Sequence, residues 1–153
     1  MKGIRSKARE FALQALFYMD TRQNTSQEMI NLFIESFKVP EKAVPFFIQL
    51  VKGVVSAESE IDAMIEQFSE NWRISRMGCV DRNAIRIAAY EMMFCHDIPS
   101  SVSINEAINL GKQFGTEESG AFINGILDSI RIALEKKKVQ KEKKYEGQKS
   151  FTE

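Results

Sequence analysis

Three adjacent residues in the sequence have the side-chain types that nucleophilic catalysis uses. Cys95, His96 and Asp97 could supply a nucleophile, a base and an acid that orients the base. Adjacent side chains diverge, however, so these three cannot form a relay, and the sequence contains no second His to help. Glu117 and Glu118 are also adjacent, and a place in the first turn of a helix explains them, because the helix dipole favours acids there. The residues therefore predict a protein that is not an enzyme.

Metal and cofactor sites are not indicated by the sequence either. The chain has two cysteines and one His, which argues against a zinc site or a disulfide scaffold and favours a reducing compartment. No Gly-rich phosphate loop follows a strand pattern. No apolar run approaches the roughly 18 residues that span a membrane, and the first residues lack the apolar stretch of a secretory signal. We expect a cytoplasmic protein without a metal, a cofactor or a membrane anchor.

The basic residues are concentrated at the two ends of the chain. Residues 1–9 contain Lys2, Arg5, Lys7 and Arg9 and no acid, whereas residues 10–134 have a net charge of −7 in a chain whose overall net charge is zero. A basic arm on an acidic body is typical of a site for an anionic polymer, most commonly a nucleic acid. On charge alone, the alternative that charged termini are simply solvated stays open.

The first helix combines this basic start with an aromatic residue on its polar face. Its apolar positions have helical spacing: Ala8, Phe11, Ala12, Ala15, Leu16 and Met19. Phe17 points away from this stripe, on an outer face that it shares with Leu13. Such an aromatic is either covered by another element or binds a partner. Cations and free backbone N–H groups beside exposed rings suit single-stranded RNA, because they meet phosphates and unpaired bases.

Every strong pattern along the chain is helical, and together they predict an all-α, single-domain bundle of six to seven helices. Ser26 can cap one helix, and Pro45 suits the first turn of a long helix whose apolar stripe runs to Phe68. The segment at 80–95 is apolar on most of its circumference, which predicts a central helix. The domain is expected at residues 1–134. The Lys-rich tail, residues 135–153, has few apolar residues and is expected to be a helical stub that frays into disorder.

The last helix of the domain contains a pair that weakens helices. Gly115 is expected to end the preceding helix and Thr116 to cap the next one, with Glu117 and Glu118 in its first turn. Asn124-Gly125 then falls in the second turn, at a cost of about 1 kcal/mol for the Gly alone. Either two helices approach closely there, or these residues face a ligand, and the sequence leaves both explanations open.

Three segments carry a resemblance to a known family. They are "KAREFALQALF" at 7–17, "VDRNAIRIAAYEM" at 80–92 and "IPSSVSINEAINLGKQFGTEESGAFINGILD" at 98–128. They resemble the bacterial transcription antitermination factors of the NusB family, and the likeness covers most of residues 4–132. The resemblance implies an all-helical, non-catalytic protein. It also implies binding of boxA-type single-stranded RNA together with NusE, a small-subunit ribosomal protein, in a transcription elongation complex that acts chiefly on ribosomal RNA operons.

The resemblance also implies which residues form the two binding surfaces. For RNA these are Lys2, Arg5, Lys7, Arg9, Glu118, Ser119, Phe122 and Asn124. For the partner protein they are Leu13, Phe17 and Asp81. This chain departs from the family at three points, with a less Arg-rich arm, Phe17 where Tyr is frequent, and Glu118 where Asp is common.

Several alternatives remain open at this stage. Similar helical domains begin the ribosomal RNA cytosine methyltransferases, but this chain has no Gly-rich cofactor-binding unit and is not expected to methylate. A helical adaptor that binds only protein would make the basic arm incidental. The face around Phe17 could serve a homodimer as readily as NusE. The tail could add phosphate contacts or only aid solubility.

Overall fold

The computed structural model describes residues 2–70 and 72–152, with side chains described up to residue 147. This part of the chain contains no strand and confirms the predicted all-α bundle. None of its helices is both long and apolar enough to cross a membrane. Seven α-helices are present: α1 (Ile4–Arg22), α2 (Gln27–Phe37), α3 (Val44–Ser56), α4 (Glu58–Phe68), α5 (Cys79–Phe94), α6 (Ser100–Phe114) and α7 (Ser119–Thr152). Short 3₁₀ helices at Glu41–Ala43 and Ile74–Arg76 lie between them.

Local signals set several helix ends as the sequence predicts. The Ser26 hydroxyl accepts a hydrogen bond from the Met29 amide at 3.3 Å, which caps α2. Pro45 lies in the first turn of α3, where its missing N–H costs nothing. Gly115 ends α6, and its N–H donates to the Gly111 carbonyl at 2.9 Å. These ends are predictable because each depends on residues within a few positions.

Helix α5 is the centre of the bundle, as its apolar circumference predicts. It packs against α1, α3, α4, α6 and α7. Its buried residues include five apolar positions in close succession: Ala84, Ile85, Ile87, Ala88 and Ala89. The small side chains let neighbouring helices approach on several sides at once.

The predicted long helix from Pro45 to Phe68 is wrong, because the structure has two helices there. The chain bends at Ala57, whose φ of −107° and ψ of 18° are not helical. Helix α3 packs on α1 and α5, whereas α4 packs on α5 and α7. One straight helix could not follow both sets of neighbours. No Gly or Pro marks the bend, so the apolar stripe alone predicts a continuous helix.

The tail continues the last helix. Helix α7 extends to Thr152, and the predicted fraying of the tail stays a prediction. Leu134 still packs against the core, whereas residues 135–147 are exposed. Lys, Glu and Gln are good helix formers, and Arg131 pairs with Glu135 one turn later at 3.0 Å. A domain boundary at residue 134 stays a prediction, and Glu153 lies outside the described residues.

A buried ion pair joins α1 to the centre of the bundle. Arg9 is 2% exposed, and its Nε and one terminal nitrogen each donate to a Glu91 carboxylate oxygen at 2.8 Å. Ser103 on α6 donates to the same carboxylate at 2.9 Å, and Glu106 lies 3.5 Å from Arg9. Burial disfavours the guanidinium charge, but the hydrogen bonds and charge of Glu91 raise the pKa of Arg9 above its ordinary value. The pair therefore fixes α1 against α5 and α6.

Replacing Glu91 with Ala is expected to lower the free energy of unfolding by about 3–5 kcal/mol, because Arg9 would keep a buried charge without its partner. Adding Arg9→Met to that variant should restore much of the loss, since no unpaired charge remains. Urea unfolding measures both effects. The exposed pair of Arg5 and Asp97 provides a matched control, and Asp97→Ala should cost about 0–1 kcal/mol. A Glu91→Ala protein as stable as the control would contradict this role.

Candidate nucleic-acid interface

The basic start of α1 lies on the surface beside the end of α6. Lys2 and Lys7 are exposed. The Lys2 ammonium contacts the Glu10 carboxylate and donates a 2.7 Å hydrogen bond to the side-chain oxygen of Gln113 on α6. Gly3 precedes α1 and has no side chain, so no side-chain cap accepts hydrogen bonds from the first N–H groups of the helix. Cations and helix N–H groups thus occur together, a combination that favours binding of a phosphate.

Arg5 extends this basic surface towards the loop after α5. Its guanidinium lies 3.4 Å from the Asp97 carboxylate and 4.9 Å from the centre of the Phe46 ring. Both Arg5 and Asp97 are largely exposed, so water screens their attraction. Arg5 therefore remains able to exchange Asp97 for another anion.

Arg9 does not belong to the exposed arm, contrary to the sequence prediction. The Glu91 pair holds it in the core, where it cannot reach a ligand without breaking that pair. Counting charges at the N-terminus cannot detect this, because the partner is 82 residues away. One signal was present in the sequence, since an acid within the apolar helix at 80–95 needs a buried cation.

The start of α7 uses one predicted site residue for its own architecture. Ser119 is 1% exposed, and its hydroxyl accepts a hydrogen bond from the Thr116 amide at 2.9 Å. Its own amide donates to the Thr116 carbonyl at 3.2 Å. Regular helix begins at Ser119, so Glu117 and Glu118 lie in the turn before it and not in its first turn. Ser119 therefore closes the turn that holds Glu118 at the surface.

Close packing does not explain Asn124-Gly125. Both residues are exposed, and a Cβ at position 125 would meet no atom within 4 Å. The close approach of α6 and α7 occurs elsewhere. A Cβ at Gly111 would lie 2.5 Å from Ile123 Cδ1, and one at Gly115 would lie 2.4 Å from Ser119 Oγ. Of the two explanations that the sequence leaves open, only the surface-facing one fits Gly125.

An apolar pocket of about 390 Å³ opens along the outer side of α1. Phe17 is 52% exposed, as its position on the helix predicts. Leu13 does not widen an exposed patch, because it is only 3% exposed and instead forms part of the pocket wall. Asp81 is half-buried in the first turn of α5, next to Val80. The pocket is lined by Leu13, Gln14, Phe17, Tyr18, Phe37, Cys79, Val80 and Phe114.

The end of α6 joins the basic surface, the pocket and the start of α7. Gln113 accepts the hydrogen bond from Lys2, and the next residue, Phe114, lines the pocket. Gly115 and Thr116 then lead directly into the turn that begins α7. The two surfaces that the sequence assigns to different ligands are therefore contiguous.

The residues with catalytic side-chain types form no relay. Cys95 is buried and accepts a long 3.6 Å hydrogen bond from Gln49, whereas His96 and Asp97 are exposed. Burial, and then the charge of Glu91, raise the pKa of the Cys95 thiol, which disfavours a nucleophilic thiolate. Within the described residues, no group of three or more His, Cys, Asp or Glu side chains could hold a metal ion.

One aromatic residue near the start of α7, Trp72, is not among the site residues predicted from the sequence. Trp72 is 50% exposed, and its ring meets the Phe122 ring edge-on with 5.8 Å between the centroids. Phe122 itself is half-buried. A single Trp followed by Arg73 and Arg76 in a polar segment was the available signal, but its proximity to Phe122 depends on the tertiary fold.

The fold and this surface define a class of protein, an all-helical bundle with a basic helix start beside an apolar pocket. The chain belongs to the NusB family, whose model matches residues 6–131. It is 53% identical over 142 residues to the transcription antitermination protein NusB of Desulfatibacillum aliphaticivorans. That alignment covers 93% of this chain and 99% of the relative.

Solved structures have the same fold. NusB of T. maritima aligns with a TM-score of 0.77 and 36% identity, over 86% of this chain and 92% of that one. A crystal structure of the antitermination factors NusB and NusE in complex with dsRNA aligns with a TM-score of 0.78 and 29% identity. It covers 87% of this chain and 99% of the matched chain. The family predicted from the three sequence segments is thereby confirmed.

Two Gly→Ala substitutions test the surface assignment of the α7 start. Gly125→Ala should raise the free energy of unfolding by about 0.5–1 kcal/mol, because its Cβ meets open space and Ala favours the helix. Gly115→Ala should lower it by about 1 kcal/mol or more, because its Cβ would lie 2.8 Å from the Gly111 carbonyl oxygen. Urea unfolding of both proteins compares the two. A destabilised Gly125→Ala protein would restore the packing explanation.

Proposed function

We propose that this chain is a cytoplasmic transcription antitermination factor. In this proposal it binds boxA-type single-stranded RNA together with NusE and joins the transcription elongation complex, chiefly on ribosomal RNA operons. It acts by binding and performs no catalysis. The observation that carries the proposal is the contiguity of the basic α1 start, the apolar pocket and the α7 start around Gln113 and Phe114. The names of the relatives and the solved NusB–NusE–dsRNA complex support it.

On the RNA side, the α1 start supplies cations and the α7 start supplies groups for bases. The exposed Lys2, Arg5 and Lys7 neutralise phosphates. Phe122 offers part of a ring and Asn124 offers an exposed amide, which suit stacking and hydrogen bonds with unpaired bases. The exposed Glu118 carboxylate lies one turn before Phe122 and repels nearby phosphates. It therefore reduces affinity for any strand that passes close to it.

On the protein side, the pocket beside Phe17 takes an apolar side chain of NusE. Phe17 lacks the hydroxyl of Tyr, so its contribution is burial of apolar surface and not a hydrogen bond. Asp81 follows Val80, which lines the pocket, and contributes a carboxylate at the start of α5. A second copy of this chain would compete for the same face, so homodimerisation and NusE binding are mutually exclusive in this proposal.

A protein-only adaptor is the second candidate function. One observation favours it, because the exposed cations are already partly neutralised, Lys2 by Glu10 and Arg5 by Asp97. An adaptor of this kind would bind NusE through the pocket and would have no affinity for RNA. Salt dependence separates the two functions, since only phosphate contacts release counterions.

Titration of a fluorescently labelled boxA-like RNA with this protein at several salt concentrations tests the proposal. Three exposed cations predict a log–log salt slope of at least about −2, at roughly −0.7 for each neutralised phosphate. Lys7→Gln should weaken binding and reduce that slope by about 0.7. Glu118→Gln should strengthen binding, because it removes a negative charge while keeping the side-chain size.

A scrambled RNA of the same length and composition is the control for sequence preference. Equal binding of the two RNAs would limit the function to non-specific RNA contact. Absence of any RNA binding, with NusE binding retained, would replace the proposed function with the adaptor. A Glu118→Gln protein that folds normally and binds RNA no tighter would remove Glu118 from the RNA surface.

A further inference from the structure

Trp72 is an exposed aromatic side chain beside the proposed RNA surface. It is the only Trp in the chain, and half of its surface is accessible. Its ring and the Phe122 ring are inclined at 72°, so the Trp72 ring meets Phe122 at an edge. Phe122 therefore supports the indole without enclosing it. An exposed indole at this position is available to a planar ligand.

The backbone around Trp72 is held by hydrogen bonds on both sides. Its N–H donates to the Ser69 carbonyl at 2.8 Å, and the buried Ser69 hydroxyl donates to the Trp72 carbonyl at 2.7 Å. Two residues later, the Ile74 N–H donates to a Glu66 carboxylate oxygen at 3.1 Å. Because Trp72 and Ile74 already form these hydrogen bonds, a ligand that stacks on Trp72 does not have to fix their backbone first.

Two cations lie on the same short segment. Arg73 and Arg76 are exposed, and neither forms an ion pair with a residue in the described part of the chain. In this they differ from Lys2 and Arg5, each of which has a carboxylate beside it. An exposed ring followed closely by two guanidinium groups without ion-pair partners suits single-stranded nucleic acid, since rings stack on bases and cations meet the adjacent phosphates.

We propose that Trp72 stacks on an unpaired RNA base and that Arg73 and Arg76 contact the flanking phosphates. The RNA surface then extends from the α7 start, across Phe122, to the 3₁₀ helix at Ile74–Arg76. This inference rests on the proposed function, because it adds one subsite to the same RNA site. An apolar side chain of a protein partner is the competing occupant, but it gives no reason for two cations beside the ring.

Because Trp72 is the only Trp in the chain, tryptophan fluorescence reports on this subsite directly. Unlabelled boxA-like RNA is titrated into the wild-type protein while tryptophan fluorescence is recorded, and binding is measured separately by the anisotropy of labelled RNA. Stacking should quench the fluorescence at the RNA concentrations that saturate the anisotropy signal. Trp72→Leu should weaken RNA binding about tenfold without changing the salt slope. Trp72→Phe, which keeps a ring, should recover most of the affinity.

The two cations are tested by replacing both with Gln, which removes the two positive charges and keeps polar side chains. The Arg73→Gln/Arg76→Gln protein should show a salt slope reduced by about 1.4, because two phosphate contacts are lost. Urea unfolding identifies any variant that is merely misfolded, and the fluorescence of the wild-type protein tests stacking without any substitution. Quenching together with recovery by Trp72→Phe would establish the subsite.

Two results would overturn the inference, and they have different meanings. If the wild-type protein binds RNA with unchanged Trp72 fluorescence and Trp72→Leu binds equally well, the subsite is wrong while the proposed function stands. If the wild-type protein gives no anisotropy change with RNA, the proposed function fails and the subsite fails with it. Quenching by NusE instead of RNA would also overturn it and assign Trp72 to the protein interface.

Discussion

The position of α1 depends on the buried pair of Arg9 and Glu91. A guanidinium in a core is tolerated only when its donors are satisfied, and the paired 2.8 Å hydrogen bonds to one carboxylate achieve this. Ala8, Ala12 and Ala15 bring α1 close enough to its neighbours for the pair to form, since all three are buried and small. Because the pair has one geometry, it sets both the rotation of α1 and its position along α5. The rotation of α1 in turn sets the orientation of its outward-facing side chains.

The rotation of α1 determines which of its side chains form the basic surface and the apolar pocket. With Arg9 held inside, Lys2 reaches Gln113 at the end of α6, and Phe17 lies on the opposite side from the core, at the pocket that Phe114 completes. Ser119 is likewise a predicted site residue that is buried. At the other end of the surface, its hydroxyl accepts the Thr116 hydrogen bond that closes the turn before α7. Residues of the same charge thus divide between the core and the proposed binding surface. Lys7 and Arg9 are two positions apart, yet one faces solvent and the other is in the core.

The sequence predicts those features that depend on local patterns. The helices, the central place of α5, the Ser26 cap and the exposed Phe17 all follow from spacing or from neighbours within one helical turn. The bend at Ala57, the burial of Arg9 and Leu13, and the meeting of Trp72 with Phe122 depend on contacts between distant segments. No local signal identifies the partner residue in any of these contacts, and two of them change the site directly. The Asn124-Gly125 pair could be interpreted only when the open space around Gly125 was known.

The central claim is that the basic α1 start and the apolar pocket act as one surface. The most direct test measures the affinity for boxA-like RNA with and without saturating NusE, in the wild-type protein and in Phe17→Ala. The account predicts that NusE raises the RNA affinity of the wild-type protein, and that RNA raises the affinity for NusE by the same factor. Phe17→Ala should lose that increase and keep the RNA affinity measured without NusE. An RNA affinity that NusE leaves unchanged in the wild-type protein would contradict the claim.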